Sequence, residues 1–471
     1  MMKVSEFNAK KKFSEASGSC AVVDDSIHMK INEYGLYEEI VLHNENHELD
    51  FAVKYVSPIL NEEISEADIA DKLFKDIDEI NYDERIGYYV SLYAGHVSEG
   101  DYREKASSGG MGTWILKELF EKDLIDGVIH VKENQDEISP IMFQYDISRS
   151  VEEIKAGAKT KYYPVEFSRV LKIVKDVPGR YAIVGIPSFI MALRLLSEKD
   201  ELIQDRIKFT IGLICGHQKS SKFAEAIAWQ VGIKPGNLKY INFRKKLMNK
   251  PSNQYGIEMI GYVDGKEVTI CKSNNELVGQ DWGEGYFKAL ASDYSDDVMN
   301  ETADITLGDA WLPEYTRDSG GSNIIVVRNP IINNLIKEAI KSRRLRLDVI
   351  DKETIIKSQL AHYRHTHDEL PYRLYKRDKA NEWRPKKRVG ASSNISFLRR
   401  KVQDLREEIS KQSHIVYKRA VELDDLDYYK NEMGKLSKKY RQLYRLMSIQ
   451  KKGVSGVIKT IIRKVIKKIF R

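Results

Sequence analysis

Two buried-strand patterns, the first a continuous apolar run, each closed by a glycine turn and followed by a helical pattern, constrain this chain more than any other feature. Tyr181-Ala182-Ile183-Val184 ends at Gly185-Ile186-Pro187-Ser188. The residues after it place Met191, Ala192, Leu195 and Leu196 on one helical face, with Arg194 off it. Residues 209–214 end at Cys215-Gly216-His217, ahead of a helix carrying Phe223, Ile227 and Val231. A strand apolar at every position is buried on both faces, so its sheet must be covered by helices on two sides. Residues 88–94, then Gly109-Gly110, a helical pattern over 114–120 and a returning strand at 128–131 repeat the βαβ layout. The reading is an α/β fold, with a mostly parallel or mixed sheet flanked by helices and a C-terminal helical extension. Glycine turns at the carboxyl ends of strands place the ligand edge there.

The rest of the chain divides around this body. Residues 1–50 are polar and irregular, 51–165 form an N-terminal α/β part and 166–330 a C-terminal one. Within the latter, 255–330 read as strands and turns. From 331 to 447 the pattern reads as helical, and Leu398, Val402, Leu405 and Ile409 repeat at four, three and four residues. That spacing is the seam of a coiled coil or a helical hairpin, and a route to a homo-oligomer. Residues 448–471 read as a basic amphipathic helix. Val454, Val457, Ile458, Ile461, Ile462, Val465, Ile466 and Ile469 form its apolar stripe, and Lys459, Arg463, Lys464, Lys467 and Lys468 lie on the other face. Such a helix suits an anionic membrane surface; docking on the body or on a partner protein is the alternative.

Charge supports this division. The net charge is +6, yet from residue 438 onward there are twelve Lys/Arg and no acid, so the remainder stands at −6. A mildly acidic body disfavours nucleic acid as a partner. Three cysteines, Cys20, Cys215 and Cys271, do not make a disulfide framework and suit a reducing compartment. No run approaches the roughly 20 apolar residues of a spanning helix, and the N-terminus lacks the apolar core of a secretory signal. The expected location is cytoplasmic, peripheral on the inner face of the cell membrane.

Five stretches, in order, resemble the family of coenzyme F-420 hydrogenase/dehydrogenase beta subunits. They are Lys105-Ala106-Ser107-Ser108-Gly109-Gly110 with Asp126-Gly127-Val128; Lys161-Tyr162-Tyr163-Pro164-Val165; Gly185-Ile186-Pro187-Ser188 with Ala192-Leu193-Arg194; Gly212-Leu213-Ile214-Cys215-Gly216-His217; and Ala303-Asp304-Ile305-Thr306-Leu307-Gly308-Asp309-Ala310-Trp311 with Gly320-Gly321-Ser322-Asn323. The resemblance covers about residues 10 to 390 and is strongest to members found in bacterial surface-polysaccharide gene clusters. It implies an FAD held by the α/β body and iron–sulfur clusters passing electrons to it. Mapped onto this chain, it implies a cofactor site from Ser107, Ser108, Gly109, Gly110, Thr113, Lys161, Gly185, Pro187, Ser188, Gly216, His217, Lys219, Ser220, Asp309, Ser322 and Asn323. The opening of a helix by Ser107–Gly110 agrees with diphosphate binding, because backbone N–H groups and the helix dipole favour an anion there; an ordinary helix cap is the other reading.

The chain departs from the family where metal would sit. The family's first cluster pattern, C-x2-C-x2-C-x3-C-P near the N-terminus, reads Ser14, Ser17, Cys20 and Asp24 here, followed by Asp25, which makes residues 1–50 a degenerate ferredoxin-like segment. The cysteines of a second cluster map to Ser188, Cys215, Ser292 and Ser295. Iron–sulfur clusters need thiolates, and a serine hydroxyl is a harder, protonated group, so no cluster is expected at either place, and Cys20 and Cys215 are expected to be small buried residues.

Other constellations have blander alternatives. His362, His365 and His367 form H-x2-H-x-H, read as a solvated helix face rather than a metal site. Asp309 contacts a ligand or caps a turn. Lys219, Ser220 and Arg244 bind an anion or form a solvated loop. Arg384-Pro385-Lys386-Lys387-Arg388 reads as a linker. Together these readings favour a flavin-dependent oxidoreductase without iron–sulfur clusters, acting on a sugar, nucleotide sugar or lipid-linked intermediate, with polysaccharide-biosynthesis proteins as partners. The alternative is a non-redox binding or assembly protein on a degenerate enzyme fold.

Overall fold

The computed structural model describes residues 2–136 and 139–469, with side chains described as far as Lys451. Eight strands build one sheet: β1 (Ser91–Val97), β2 (Gly127–Glu133), β3 (Phe143–Ser148), β4 (Tyr181–Gly185), β5 (Ile207–Leu213), β6 (Ile305–Asp309), β7 (Asn323–Val327) and β8 (Leu345–Val349). Their spatial order is β8-β1-β7-β6-β5-β4-β2-β3. The four strands β6, β5, β4 and β2 run parallel, and antiparallel strands extend both sides. The sheet is therefore mixed, with its parallel segment at the centre. Ala182, Ile211, Ile305 and Ile325 pack on one face with the helix α1 (Met111–Glu121). Ile183 and Ile129 pack on the other with α2 (Pro187–Ser197). Burial on both faces is why these strands read as largely apolar runs. β1 and β2 are parallel as the βαβ layout predicts, but four strands separate them.

Three parts of the chain depart from the expected pattern. The region after 331 is not helical throughout. Leu345 and Leu347 alternate with Arg346 and Asp348 in β8, which pairs with β1 at the sheet edge. That period of two is the strand signal, overlooked beside the helical residues on either side. Residues 1–50 are not irregular either. They contain a helix, Val4–Lys10, and a hairpin of Ile27–Ile31 with Tyr37–Val41. The hairpin turn is set by Asn32 Oδ1, which accepts from the N–H groups of Tyr34 and Leu36, and by Gly35 at φ +74°. Finally, the basic run 384–388 is not a free linker. Lys387 pairs with buried Asp296 at 2.9 Å, and Arg388 pairs with Glu301 at 2.7 Å.

A three-stranded antiparallel meander of Leu238–Lys245, Gly256–Val263 and Lys266–Ser273 lies beside the main sheet. Further helices include α3 (Lys222–Trp229), α4 (Phe397–Leu423) and α5 (Leu426–Ile469). Asp424, in the left-handed region at φ 50°, turns α4 back into α5. The seam residues Val402, Leu405 and Ile409 are buried in one cluster with Phe223 and Ile227 of α3 and Met433 and Tyr440 of α5. The helical hairpin thus covers its own seam and docks on the body. The apolar stripe between Val454 and Ile469 lies outside the residues whose side chains are described. Among the described residues, no helix is long and apolar enough to cross a membrane.

One carboxylate joins the central strands. Asp304 Oδ2 accepts from Thr210 N and Thr210 Oγ1, both at 2.8 Å, and from Arg194 at 3.1 Å. Its Oδ1 accepts from Asn329 at 3.0 Å. Asp304→Ala leaves the Thr210 amide without its side-chain acceptor and the Arg194 guanidinium, still bonded to the Thr302 carbonyl and Thr210 Oγ1, without its counter-ion. The expected loss of stability is about 3–5 kcal/mol, read as a lower midpoint in chemical denaturation with an unchanged slope.

Candidate functional site

The carboxyl edge of the parallel strands is assembled from the loop between β1 and α1 upward. Ser108 Oγ donates to the Ser322 carbonyl at 2.9 Å, and Ser107 Oγ accepts from Thr160 N at 2.9 Å. Gly110 stands at φ 92° before α1, and Thr113 lies in the first turn of that helix. A Cβ on Gly109 would sit 2.6 Å from Asn323 Oδ1 and 2.7 Å from the Gly95 carbonyl. Only glycine lets the chain come that close to the sheet. Asn323 Oδ1 accepts from Met111 N at 3.3 Å, and its amide donates to the Gly308 carbonyl at 3.2 Å. The sequence-predicted residues Ser107–Gly110, Ser322, Asn323 and Asp309 therefore form one connected group.

Cations gather at this edge. Lys246 Nζ donates to the Ser108 carbonyl at 2.8 Å and to the Arg103 carbonyl. Lys161 Nζ donates to the carbonyls of Gly157 (2.9 Å) and Ala158 (2.7 Å). Arg103 pairs with Asp318 at 2.7 Å, and buried Arg244 pairs with Asp309 at 2.5 Å. Lys159, Lys161 and Lys246 have no ion-pair partner among the described residues. Burial, then the charges of Arg103, Lys159 and Arg244, push Lys246 down to about 7. Burial, opposed by Glu133 and aided by Lys159, pushes Lys161 down to about 8. Half-buried cations that suppress one another's charge are favoured by an incoming anion.

A polar relay runs along the ends of β6 and β5. Gln359 Nε2 donates to the Asp309 carbonyl at 2.8 Å, and Gln359 Oε1 lies 2.9 Å from His362 Nδ1. A Cβ on Gly216 would touch His362 Nε2 at 2.7 Å. Burial pushes His362 down to about 4, so its imidazole is neutral. The H-x2-H-x-H stretch is thus not a solvated face: His365 is 5% exposed and meets His217 edge-on at 5.8 Å. Among the described residues, no group of three His, Cys, Asp or Glu side chains could hold a metal ion. The solvated-loop alternative for Lys219, Ser220 and Arg244 also fails, since all three are buried. Lys219 Nζ donates to the Tyr286 carbonyl at 2.5 Å and lies 4.7 Å from the Trp282 ring centre, while His217 stacks on the same ring at 5.5 Å.

A third group sits apart. Ser188 Oγ donates to Glu15 Oε2 at 2.5 Å, and Ser292 Oγ donates to Glu15 Oε1 at 2.6 Å. Gln218 N donates to Ser292 Oγ, and its side-chain amide donates to the Glu15 carbonyl. Half-buried Cys215 is pushed up to about 12 by burial and by the Glu15 charge. Pro187, Ser188 and Ser295 line a cavity of about 50 Å3 beside Glu15. Gly185 accepts from Asn300 at 2.9 Å. The mapped second-cluster positions do converge, but on a carboxylate. In the N-terminal stretch, Cys20 is buried, and burial and the neighbouring Glu39 carboxylate raise its thiol far above the usual value. Asp24 accepts from Ser26 and from Asp50 N. Sequence reasoning missed Glu15, Lys159, Lys246 and Gln359. Only Lys246 carried a signal, as the last residue of the run Arg244-Lys245-Lys246.

Comparison with known proteins places this arrangement. The sequence model described as coenzyme F420 hydrogenase/dehydrogenase, beta subunit, N-term, matches residues 92–172, and its C-terminus counterpart matches residues 179–353. Together they span more than half of the chain. An uncharacterized protein of Methanocaldococcus jannaschii is 24% identical over 217 residues, covering 39% of this chain and 59% of that protein. A component of the F(420)H(2) dehydrogenase of Methanosarcina mazei is 28% identical over 110 residues, covering 23% of this chain and 30% of that protein. The chain thus spans less than two thirds of the length of either relative. A chain of the F420-reducing [NiFe] hydrogenase complex from Methanosarcina barkeri superimposes with a TM-score of 0.46 at 16% identity, covering 63% of this chain and 96% of that one.

The depressed lysines set a pH dependence for anion binding. Above about 7, Lys246 is largely neutral, so pairing with an anion requires proton uptake. Pyrophosphate affinity is therefore expected to fall as pH rises through about 7 and on towards the unperturbed lysine value, by up to about tenfold per pH unit. In Lys246→Met the decline near 7 should vanish; an unaltered profile in calorimetric titration would show that Lys246 is not in the anion site.

Proposed function

We propose, for a chain that belongs to the family of coenzyme F420 hydrogenase/dehydrogenase beta subunits, the function of a flavin-dependent oxidoreductase that carries no iron–sulfur cluster. Its fold is of oxidoreductase-related type. The observation that carries the reading is the trio Lys159, Lys161 and Lys246 without ion-pair partners beside the Gly109–Gly110 turn, where the family's cofactor would be held.

The residues present fit the anionic half of FAD. Lys246, Lys161 and Arg103 would hold the diphosphate, next to the start of α1, whose dipole adds to the attraction. Arg244, fixed over the rings of Tyr255 and Trp311 and paired with Asp309, would steer an anionic or strongly polar substrate group. His362, neutral and oriented by Gln359, is placed to accept or donate a hydrogen bond at the strand ends. When bound, the flavin supplies hydride exchange with a diffusible donor. Glu15 between Ser188 and Ser292 supports the absence of a cluster, because its carboxylate fills the place thiolates would need. A sugar, nucleotide sugar or lipid-linked intermediate at the inner membrane face is the substrate class proposed, with the basic C-terminal helix as the anchor.

The second reading is a non-redox binding or assembly protein that recruits polysaccharide-biosynthesis partners. It is favoured by the same Glu15 contact, since a plugged cluster site interrupts the family's electron path.

Reconstitution separates the two. Purified protein mixed with FAD and desalted should retain a flavin absorption band, and Lys246→Met should bind FAD about tenfold more weakly, the worth of one charge-assisted contact. Protein that stays colourless favours the second reading. For the anchor, removal of residues 450–471 should abolish co-flotation with vesicles containing anionic lipid; a truncated chain that still floats is held by another surface.

A further inference from the structure

A cleft of about 660 Å3 opens between the N-terminal hairpin and the body, on the side of β3 and α3. Its size falls within the roughly 300–1,000 Å3 of small-molecule sites. The hairpin forms its roof and is held rigidly. Ser221 N donates to the Gly35 carbonyl at 2.9 Å, and Gly35 packs so closely that a Cβ would lie 2.2 Å from Ser221 Oγ. Glu33, at the turn, is tied to Lys418 of α4 at 2.5 Å. The hairpin roof lies outside the residues that the family's sequence models match, whereas the floor lies within them; the lining shares no residue with the Ser107–Gly110 turn, Lys161 or Lys246.

The lining is aromatic and polar at once. Tyr37 stands on the roof, and Tyr145 and Tyr163 are on the floor. Tyr37 Oη makes no hydrogen bond among the described residues. Glu166 uses one oxygen to accept from Ser168 N at 2.6 Å, and its charge, after burial, helps to raise the Tyr37 phenol above its usual value. Arg169 donates one N–H group to the Tyr145 carbonyl at 3.1 Å, which fixes the guanidinium and leaves further donors for a ligand. Fixed charge in the lining balances: Lys30, Arg169 and Lys222 stand against Glu33, Glu166 and Glu225.

A balanced lining gives a net anion no electrostatic advantage, unlike the lysine-rich cofactor edge. A phenol face beside a carboxylate and a guanidinium fits a ring with one apolar C–H face and neighbouring hydroxyls. We propose that this cleft binds a neutral saccharide. The inference rests on the reading of a sugar substrate and names where its uncharged part is held, away from the flavin diphosphate.

The test titrates full-length protein with the neutral disaccharides maltose, cellobiose and chitobiose, with pyrophosphate as the charged control, by saturation-transfer NMR and calorimetry. At least one disaccharide should saturate with a dissociation constant of about 1 mM or tighter. Tyr37→Ala and Glu166→Gln should each weaken it at least about tenfold while leaving pyrophosphate binding unchanged, and Tyr37→Phe, which keeps the ring, should weaken it less than Tyr37→Ala. The proposal is overturned if no disaccharide saturates, if pyrophosphate competes with it, or if binding survives both substitutions in folded protein. Flavin uptake measured on the same samples keeps the two readings apart. Colourless protein that binds a disaccharide refutes the flavin and keeps the cleft, whereas flavin-loaded protein that binds none refutes the cleft.

Discussion

The Glu15 carboxylate, gripped by the hydroxyls of Ser188 and Ser292, is the interaction on which the rest of the arrangement depends. It draws the N-terminal segment against the carboxyl ends of the parallel strands, and it sets what those ends hold. Thiolates at these positions would bind a soft metal centre. Hydroxyls donating to a carboxylate make instead a closed hydrogen-bonded plug, in which both acid oxygens are satisfied. With that place filled by oxygen chemistry, the proposed flavin function rests on the lysine-rich edge beside the Gly109–Gly110 turn.

Buried charge ties the helical extension to the body. Lys288 pairs with Asp293, and Arg373 donates to the carbonyls of Asp293 and His365 and to Gln403 of α4. Gln403 in turn donates to Glu369 at 2.5 Å. Removing one member of such a network leaves a desolvated charge behind, so the extension and the body hold their relative positions tightly. The seam that α4 presents is covered by α5 and α3, and the extension thereby becomes part of the wall behind His217 and Lys219.

Much of the sheet was legible because burial on both faces leaves a plain mark. Residues 181–184 are apolar at every step and 209–214 at every step but Thr210, and Gly185 and Gly216 fall where those strands end. β8 escaped because five alternating residues sit between two helices, and the hairpin at 27–41 escaped because its polar alternation resembles a loop. Site residues divided in the same way. Ser107–Gly110 and Ser322–Asn323 were found because glycine and small polar residues mark close backbone approach. His365 drew a solvated reading, and Lys219 and Arg244 a solvated alternative beside anion binding, because charge is a poor guide when its partners are remote. Glu15 and Ser292 lie 277 residues apart, and no local pattern connects them. The run at 384–388 misled for the same reason, since its anionic partners Asp296 and Glu301 come from a distant loop.

The most direct test is the composition of the protein purified without exposure to oxygen: bound flavin, iron and acid-labile sulfide measured on one sample. The account predicts flavin in proportion to the chain, with iron and sulfide at background. Sulfide and iron in fixed proportion to the chain would contradict it, because the space between Ser188 and Ser292 would then hold a cluster rather than the carboxylate of Glu15.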